Sequence, residues 1–148
     1  MSTDLASEVF RVVGRFRRQL RRSAGRGLDS ARLTESQSEL LWLVGRRPGI
    51  SVSAAAAELG LVANTASTLV SKLVSGGFLT RSVGATDRRV GELTLAEPTQ
   101  QIVDASRAAR RALLSDVLAE LDDDQIESLA KGLEVLDTMT RLLQERRS

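Results

Sequence analysis

The chain has 148 residues, of which 42% are apolar, and this suits one folded domain rather than a disordered segment. Its formal net charge is only +2, and it contains neither histidine nor cysteine. These absences exclude disulfide bonds, thiol redox sensing and the usual Ser-His-Asp and Cys-His catalytic sites. Since no catalytic pairing of carboxylates is recognisable either, we expect a protein that is not an enzyme and that uses no cofactor or metal.

Charge is separated along the chain. Residues 5–26 hold seven arginines against one glutamate, and residues 115–137 hold eight acidic residues against one lysine. Such runs are typical of solvated helix faces, and the alternative is that the two ends attract each other in the fold. No apolar run is long enough to span a membrane, and the arginine-rich start does not resemble a signal peptide. We therefore expect a cytoplasmic protein with no membrane contact.

Helical periodicity and capping residues predict the first two helices. Apolar residues recur at helical spacing over residues 5–22 and predict an amphipathic helix. After a predicted loop over residues 23–33, Thr34 and Gln37 have the spacing of a capping box that starts a second helix. Pro48 and Gly49 end that helix.

Two short helices follow with a tight turn between them. Ser51 is a predicted N-cap for a helix over about 52–59, which Gly60 ends. Only a few residues separate it from a further helix at about 63–75. This spacing is typical of a helix-turn-helix.

The next segment predicts a β-hairpin, and two long helices end the chain. Residues 78–83 and 90–95 are rich in strand-forming residues, and the stretch between them has the composition of a hairpin loop. Pro98 is tolerated in a first helical turn and starts a long helix. Asp122 with Gln125 predicts a capping box for the last helix. A hairpin directly after a helix-turn-helix is a wing.

The helix at 63–75 divides into an apolar and a polar side. The side predicted to face the core consists of Ala66, Leu69, Val70, Leu73 and Val74. The other side consists of Asn64, Ser67, Thr68, Ser71, Lys72 and Ser75, with Thr65 at its edge. These short polar side chains suit a helix that enters a DNA major groove, although they also suit a plain solvent-facing surface.

The polar side contains no arginine, so the commonest bidentate contact to guanine is missing from this helix. Asn64 can instead bond adenine, and the methyl groups of Thr65 and Thr68 can meet thymine methyls. We hypothesise that major-groove specificity depends on A·T pairs, with Lys72 mainly on phosphate.

The wing supplies further positive charge. Arg88 and Arg89 lie in the predicted loop, where an arginine can enter a narrow minor groove, and Arg81 lies at the base of the wing. Asp87 most simply orients a neighbouring arginine. The alternative is a surface ion pair worth only about 0–1 kcal/mol.

The chain resembles the multiple antibiotic resistance regulator (MarR) family over nearly its whole length. The resemblance rests on Leu33-Thr34-x-x-Gln37, Ser51-Val52 to Leu59-Gly60, Asn64-Thr65-Ala66-Ser67, Gly77-Phe78-Leu79 with Arg81, and Asp87-Arg88-Arg89 before Leu93-Thr94-Leu95. Val62 departs from the family, because a serine or threonine usually caps the recognition helix there.

The resemblance implies a single, mainly α domain over residues 1–148 with a small β-wing. The winged helix-turn-helix lobe would span residues 34–95, and helices within 4–24 and 97–146 would form a homodimer. Such a dimer would bind a pseudo-palindromic operator in double-stranded DNA, most simply as a repressor. The candidate DNA-binding residues are Ser51, Asn64, Thr65, Ser67, Thr68, Ser71, Lys72, Arg81, Asp87, Arg88 and Arg89.

Many relatives release DNA when a small aromatic compound binds between the dimer helices and the winged lobe. The candidate ligand-binding residues here are Phe16, Leu20, Leu41 and Trp42, although Trp42 also suits core or dimer packing. The alternative function is a winged helix that contacts only proteins and binds no specific DNA.

Overall fold

The computed structural model describes residues 2–24, 27–28, 32–83 and 91–147 as six helices and three short strands. The elements in chain order are α1 (Ser2–Ser23), α2 (Glu35–Arg46), β1 (Ile50–Ser51), α3 (Val52–Leu59), α4 (Ala63–Ser75), β2 (Leu79–Val83), β3 (Gly91–Leu95), α5 (Glu97–Leu118) and α6 (Asp123–Arg146). The predicted fold class, mainly helical with a small β-wing, is confirmed.

The predicted helix ends are formed by the residues that the sequence indicated. Thr34 and Asp122 each accept a bond from the backbone of the residue three positions on, whose glutamine side chain accepts a bond from the cap backbone in return. Ser51 accepts from the backbone of Ala54, and Gly60 takes the left-handed conformation at the end of α3. These caps satisfy backbone groups that a helix leaves without partners.

The sheet is antiparallel and has the order β1-β3-β2. Ile50 of β1 pairs with Leu93, which fixes the start of α3 against the wing. Leu79 of β2 pairs with Leu95, which places both side chains over the core. The two-residue strand β1 was not predicted, because two residues carry no periodicity.

The hydrophobic core lies where α2, α4, the sheet and the first half of α5 meet. Its fully buried side chains are Leu41, Leu43, Val44, Val70, Leu73, Leu93 and Val103. Helix α5 approaches α2 closely at Gly45, where an added Cβ would lie 3.0 Å from Val103 Cγ1. A larger residue at Gly45 would therefore require the Val103 side chain to shift.

One expectation about burial needs correction. Val74 was assigned to the core side of α4 but is 38% exposed, because it lies at the edge of the buried arc of Ala66, Val70 and Leu73. Leu28, in the segment predicted as a loop, is buried in the core cluster.

Helices α1 and α6 are mostly exposed in the single chain. Gln144 is half-buried, and every other residue of α6 is exposed. The exposed apolar side chains of α1 include Phe10, which is 84% exposed. An apolar groove of about 470 Å³ separates the two helices and is lined by Leu5, Ala6, Val9, Gly132, Val135, Leu136 and Met139. Among the described residues, no helix combines the length and apolar character needed to cross a bilayer.

Candidate nucleic-acid interface

The polar side of α4 is open to solvent along its whole length. Ala66, Val70 and Leu73 hold the helix on the core. The opposite side exposes the predicted contact residues Asn64, Thr65, Ser67, Thr68, Ser71 and Lys72. Nothing within the described part of the chain covers this row of short side chains.

The first turn of α4 presents Asn64 and Thr65. Thr68 Oγ1 donates a 2.9 Å hydrogen bond to the backbone oxygen of Asn64, so the Thr68 hydroxyl is tied to its own helix. That bond leaves the Thr68 methyl group as the part of the side chain that can contact an apolar surface. No hydrogen bond joins the Asn64 amide to another described residue, so its donor and its acceptor can both serve an external partner.

Val62 is the N-cap of α4 and provides no side-chain hydrogen bond. Its backbone is extended, as an N-cap requires, and its side chain is 70% exposed. A first-turn backbone N–H that serine would satisfy is therefore left to solvent.

We predict that Val62→Ser raises the free energy of unfolding by about 1 kcal/mol relative to Val62→Ala. Both variants remove the same valine, so their difference isolates the capping bond. Urea unfolding at one fixed protein concentration measures it. Equal midpoints and slopes for the two variants would contradict the prediction.

A shallow depression of about 260 Å³ brings three predicted site residues together beside α4. It is lined by Ser51 at the start of α3, by Ser67 of α4 and by Arg81 of β2, together with Ser53 and Gly91. Sequence reasoning missed Ser53 and Gly91, because neither belongs to a recognisable motif. The three elements converge because β1 leads directly into α3 while β3 pairs with both other strands.

Gly91 leaves space for the Arg81 side chain. A Cβ at Gly91 would overlap the Arg81 guanidinium, which lies over the neighbouring strand. The exposed guanidinium is thereby placed at the edge of the depression. Asp87, Arg88 and Arg89, the predicted wing contacts, lie outside the described residues.

The four candidate ligand-binding residues do not form one site. Leu20 and Trp42 line a pocket of about 240 Å³ between α1, α2 and α5. Leu41 is completely buried in the core, and Phe16 is exposed and does not line this pocket.

The pocket around Trp42 is rich in charge. The guanidinium carbon of Arg110 lies 4.2 Å from the centre of the Trp42 ring, within the range of a cation–π contact. Arg17 Nη2 lies 2.8 Å from Glu35 Oε1 and joins α1 to α2 at the same pocket. Arg110 and Arg21 also line the pocket but were not among the predicted residues. From the sequence alone, an arginine on a helix is expected to be a solvated surface charge.

Comparison with known proteins shows similarity to one family and to one fold. The sequence model of the MarR family matches residues 33–90. No curated protein sequence matches the chain significantly.

Solved structures resemble the chain along almost its whole length. FabT from Streptococcus pneumoniae, solved in complex with DNA, has a TM-score of 0.72 at 22% identity, covering 96% of each chain. The transcriptional regulator SlyA has a TM-score of 0.71 at 20% identity, covering 95% of this chain and 99% of its own. A MarR protein from Peptoclostridium difficile has a TM-score of 0.71 at 16% identity, covering 95% and 92%. The chain therefore has the fold of these regulators, and the resemblance to the MarR family is confirmed.

Proposed function

We propose that the chain, whose residues 33–90 match the sequence model of the MarR family, is a homodimeric, sequence-specific DNA-binding regulator of transcription. The observation that carries the proposal is the uncovered polar side of α4, with the Arg81 depression next to it. A recognition helix must present short, exposed polar side chains to fit a groove about 12 Å wide.

Base readout is assigned to the first turn of α4. Recognition helices contact base edges mainly through their N-terminal residues, where Asn64 and Thr65 lie. Asn64 would bond N6 and N7 of adenine, and the methyl groups of Thr65 and Thr68 would meet thymine methyls. Ser67 and Ser71 lie farther along the same exposed side.

Phosphate contacts are assigned to the depression and its surroundings. The Ser51 hydroxyl accepts the N–H of Ala54, which leaves the earlier N–H groups of α3 for an external anion. Arg81 at the edge of the same depression adds a positive charge, and Lys72 adds another on α4. Such contacts position the helix but do not read sequence.

We propose that a second copy of the chain packs against α1 and α6. Exposed apolar side chains line both helices, and a monomeric protein rarely leaves so large an apolar surface in water. Two copies would place two recognition helices about 34–36 Å apart, one turn of DNA.

The salt dependence of binding tests the proposal. We expect the affinity for duplex DNA to fall steeply with salt and Arg89→Ala to reduce the slope of log K against log salt by about 1. Arg46, an exposed arginine at the end of α2 away from the depression, gives the matched control Arg46→Ala. An Arg89→Ala protein with unchanged slope and affinity would count against the wing contact. A chain that binds no DNA but captures a protein would support the protein-interaction alternative.

We further propose that the regulator is a repressor relieved by a small aromatic ligand at the Trp42 pocket. The pocket volume of about 240 Å³ suits a single ring, since cavities of about 150 Å³ already hold benzene. The pocket also lies where α1 and α5 meet the winged lobe. Occupying it would therefore change how the lobe sits on those helices.

Trp42 is the only tryptophan, so its fluorescence reports on the pocket. We expect salicylate-like compounds to change this fluorescence and to weaken DNA binding over the same concentration range. Leu20→Ala should weaken the response, because Leu20 lines the pocket. Complete insensitivity of the fluorescence would contradict the pocket assignment.

A further inference from the structure

Helix α6 is hydrogen-bonded to the helix-turn-helix through the side chain of Gln144. The Gln144 Nε2 atom donates a 3.0 Å hydrogen bond to the backbone oxygen of Glu58, 86 residues earlier in the chain. Gln144 is half-buried, whereas every other residue of α6, all of which the structure describes, is exposed. The contact therefore involves the most buried residue of α6.

The bonded carbonyl is one that the end of α3 leaves open. At the close of α3, the N–H of Leu61 reaches the oxygen of Ala56 and the N–H of Gly60 reaches that of Ala57. These bonds satisfy two of the last four carbonyl groups of the helix. The Glu58 oxygen is the next along, and Gln144 satisfies it. Because the C-terminal end of a helix carries partial negative charge, an N–H donor is the favoured partner there.

Gln144 also packs on the turn between α3 and α4. A Cβ at Gly60 would lie 3.5 Å from Gln144 Cγ, which is ordinary van der Waals contact. Gly60 has φ 67, a conformation that favours glycine. Helix α4 begins only three residues later. A side chain fixed at Gly60 and Glu58 therefore acts on the base of α4.

The hydrogen bond between Gln144 and Glu58 lies beside an open depression. This polar depression of about 450 Å³ separates α6 and α3 and is lined by Glu58, Glu134, Asp137, Thr138, Thr140, Arg141 and Gln144. The lobe is also joined to the long helices through α2, by its packing on α5 at Gly45, by the Arg17–Glu35 ion pair and by the contact of Arg110 with Trp42. Those contacts hold the lobe at α2, whereas Gln144 holds it at the end of α3, next to α4.

We infer that Gln144 is a positioning residue that fixes the orientation of the DNA-reading lobe relative to α6. The consequence for DNA binding rests on the proposed function. The orientation of the lobe matters because two recognition helices must match two half-sites. Loss of the bond leaves the fold intact and frees the α3–α4 end of the lobe to move relative to α6. The dimer then binds its operator less tightly and discriminates half-site spacing less well.

Distances within one chain test the attachment without DNA. The chain has no cysteine, so Ser75→Cys on α4 and Glu127→Cys on α6 give two unique and exposed sites for spin labels. Dilution with unlabelled chain confines the measurement to one molecule. We expect a narrow distance distribution in the otherwise unchanged chain and a broader one with Gln144→Met, which keeps the size but removes the donor. Gln144→Lys restores a donor and should restore the narrow distribution.

The control is Thr140→Val. Thr140 lines the same depression, but its hydroxyl donates to Leu136 within α6, so its loss should leave the distances unchanged. Identical distributions for Gln144→Met and the unsubstituted chain would overturn the inference.

DNA binding provides the second readout. On an operator selected by the unsubstituted chain, Gln144→Met should weaken binding by about twofold to tenfold per protomer, the range of a single hydrogen bond. It should also narrow the difference in affinity between that operator and an operator with an extra base pair between the half-sites. Unchanged affinity and spacing preference would overturn the positioning role, even with broadened distances. If the unsubstituted chain binds no DNA, the proposed function fails, while the distances still decide whether the attachment exists.

Discussion

Replacing Leu133 and Leu143 by aspartate is expected to convert the proposed dimer to a monomer and to abolish operator binding. Both leucines lie on the apolar stripe of α6 and are 55% and 61% exposed in the single chain. The substitution removes little from the fold of one chain, because neither side chain belongs to its core.

The size of the effect follows from symmetry. Fully burying an exposed leucine contributes about 1.5–3 kcal/mol, and association can bury just over half of each of these side chains, so the four leucines of a symmetric interface contribute about 3–7 kcal/mol. A nanomolar dimer is held by about 12 kcal/mol, so the loss is a large part of the whole association. Four carboxylates brought into an apolar interface oppose association further.

Sedimentation equilibrium measures the association, and circular dichroism verifies that the helices persist. Thr138→Asp adds a carboxylate on the polar side of α6 and should leave the dimer intact. A double variant that remains dimeric at micromolar concentration would show that α6 is not the interface.

Replacing Asn64 by alanine is expected to weaken operator binding by about 2–6 kcal/mol, because a bidentate contact to adenine contributes about 1–3 kcal/mol in each half-site. This corresponds to about thirtyfold or more in affinity. The fold should be unaffected, since Asn64 is exposed and its backbone oxygen still accepts the bond from Thr68.

Binding to the selected operator and to unrelated DNA separates readout from general attraction. Asn64→Ala should lower the affinity for the selected operator alone, whereas Lys72→Ala should lower the affinity for both kinds of DNA. Ser75→Ala, at the far end of α4, is the matched control. An Asn64→Ala protein that keeps its preference for A·T positions would contradict the assignment of this side chain.

The parts of the fold that follow from local chemistry could be predicted from the sequence. A capping box has a fixed spacing and a local mechanism, so Thr34 with Gln37 and Asp122 with Gln125 define helix starts without knowledge of the tertiary structure. The glycine at position 60 likewise ends α3, because the left-handed conformation there suits few other residues.

The parts that depend on distant residues could not be predicted. Ile50 becomes a strand only because β3 lies beside it, and Leu28 is buried only because the core reaches it. In the sequence, Gln144 does not differ from the other polar residues of an amphipathic helix. Its bond to α3 is set by the tertiary structure. At the candidate site, Gly91 matters because Arg81 occupies the space above it, a relation that arises from strand pairing.

Selection of binding sites from random duplex DNA by the full-length chain tests whether α4 reads DNA sequence. We predict an enriched pseudo-palindrome whose half-sites are centred about 10 base pairs apart, with indispensable A·T pairs where Asn64 enters each major groove. Enrichment of no sequence would contradict specific readout by α4. Half-sites whose indispensable positions are all G·C would contradict the assigned chemistry of its polar side.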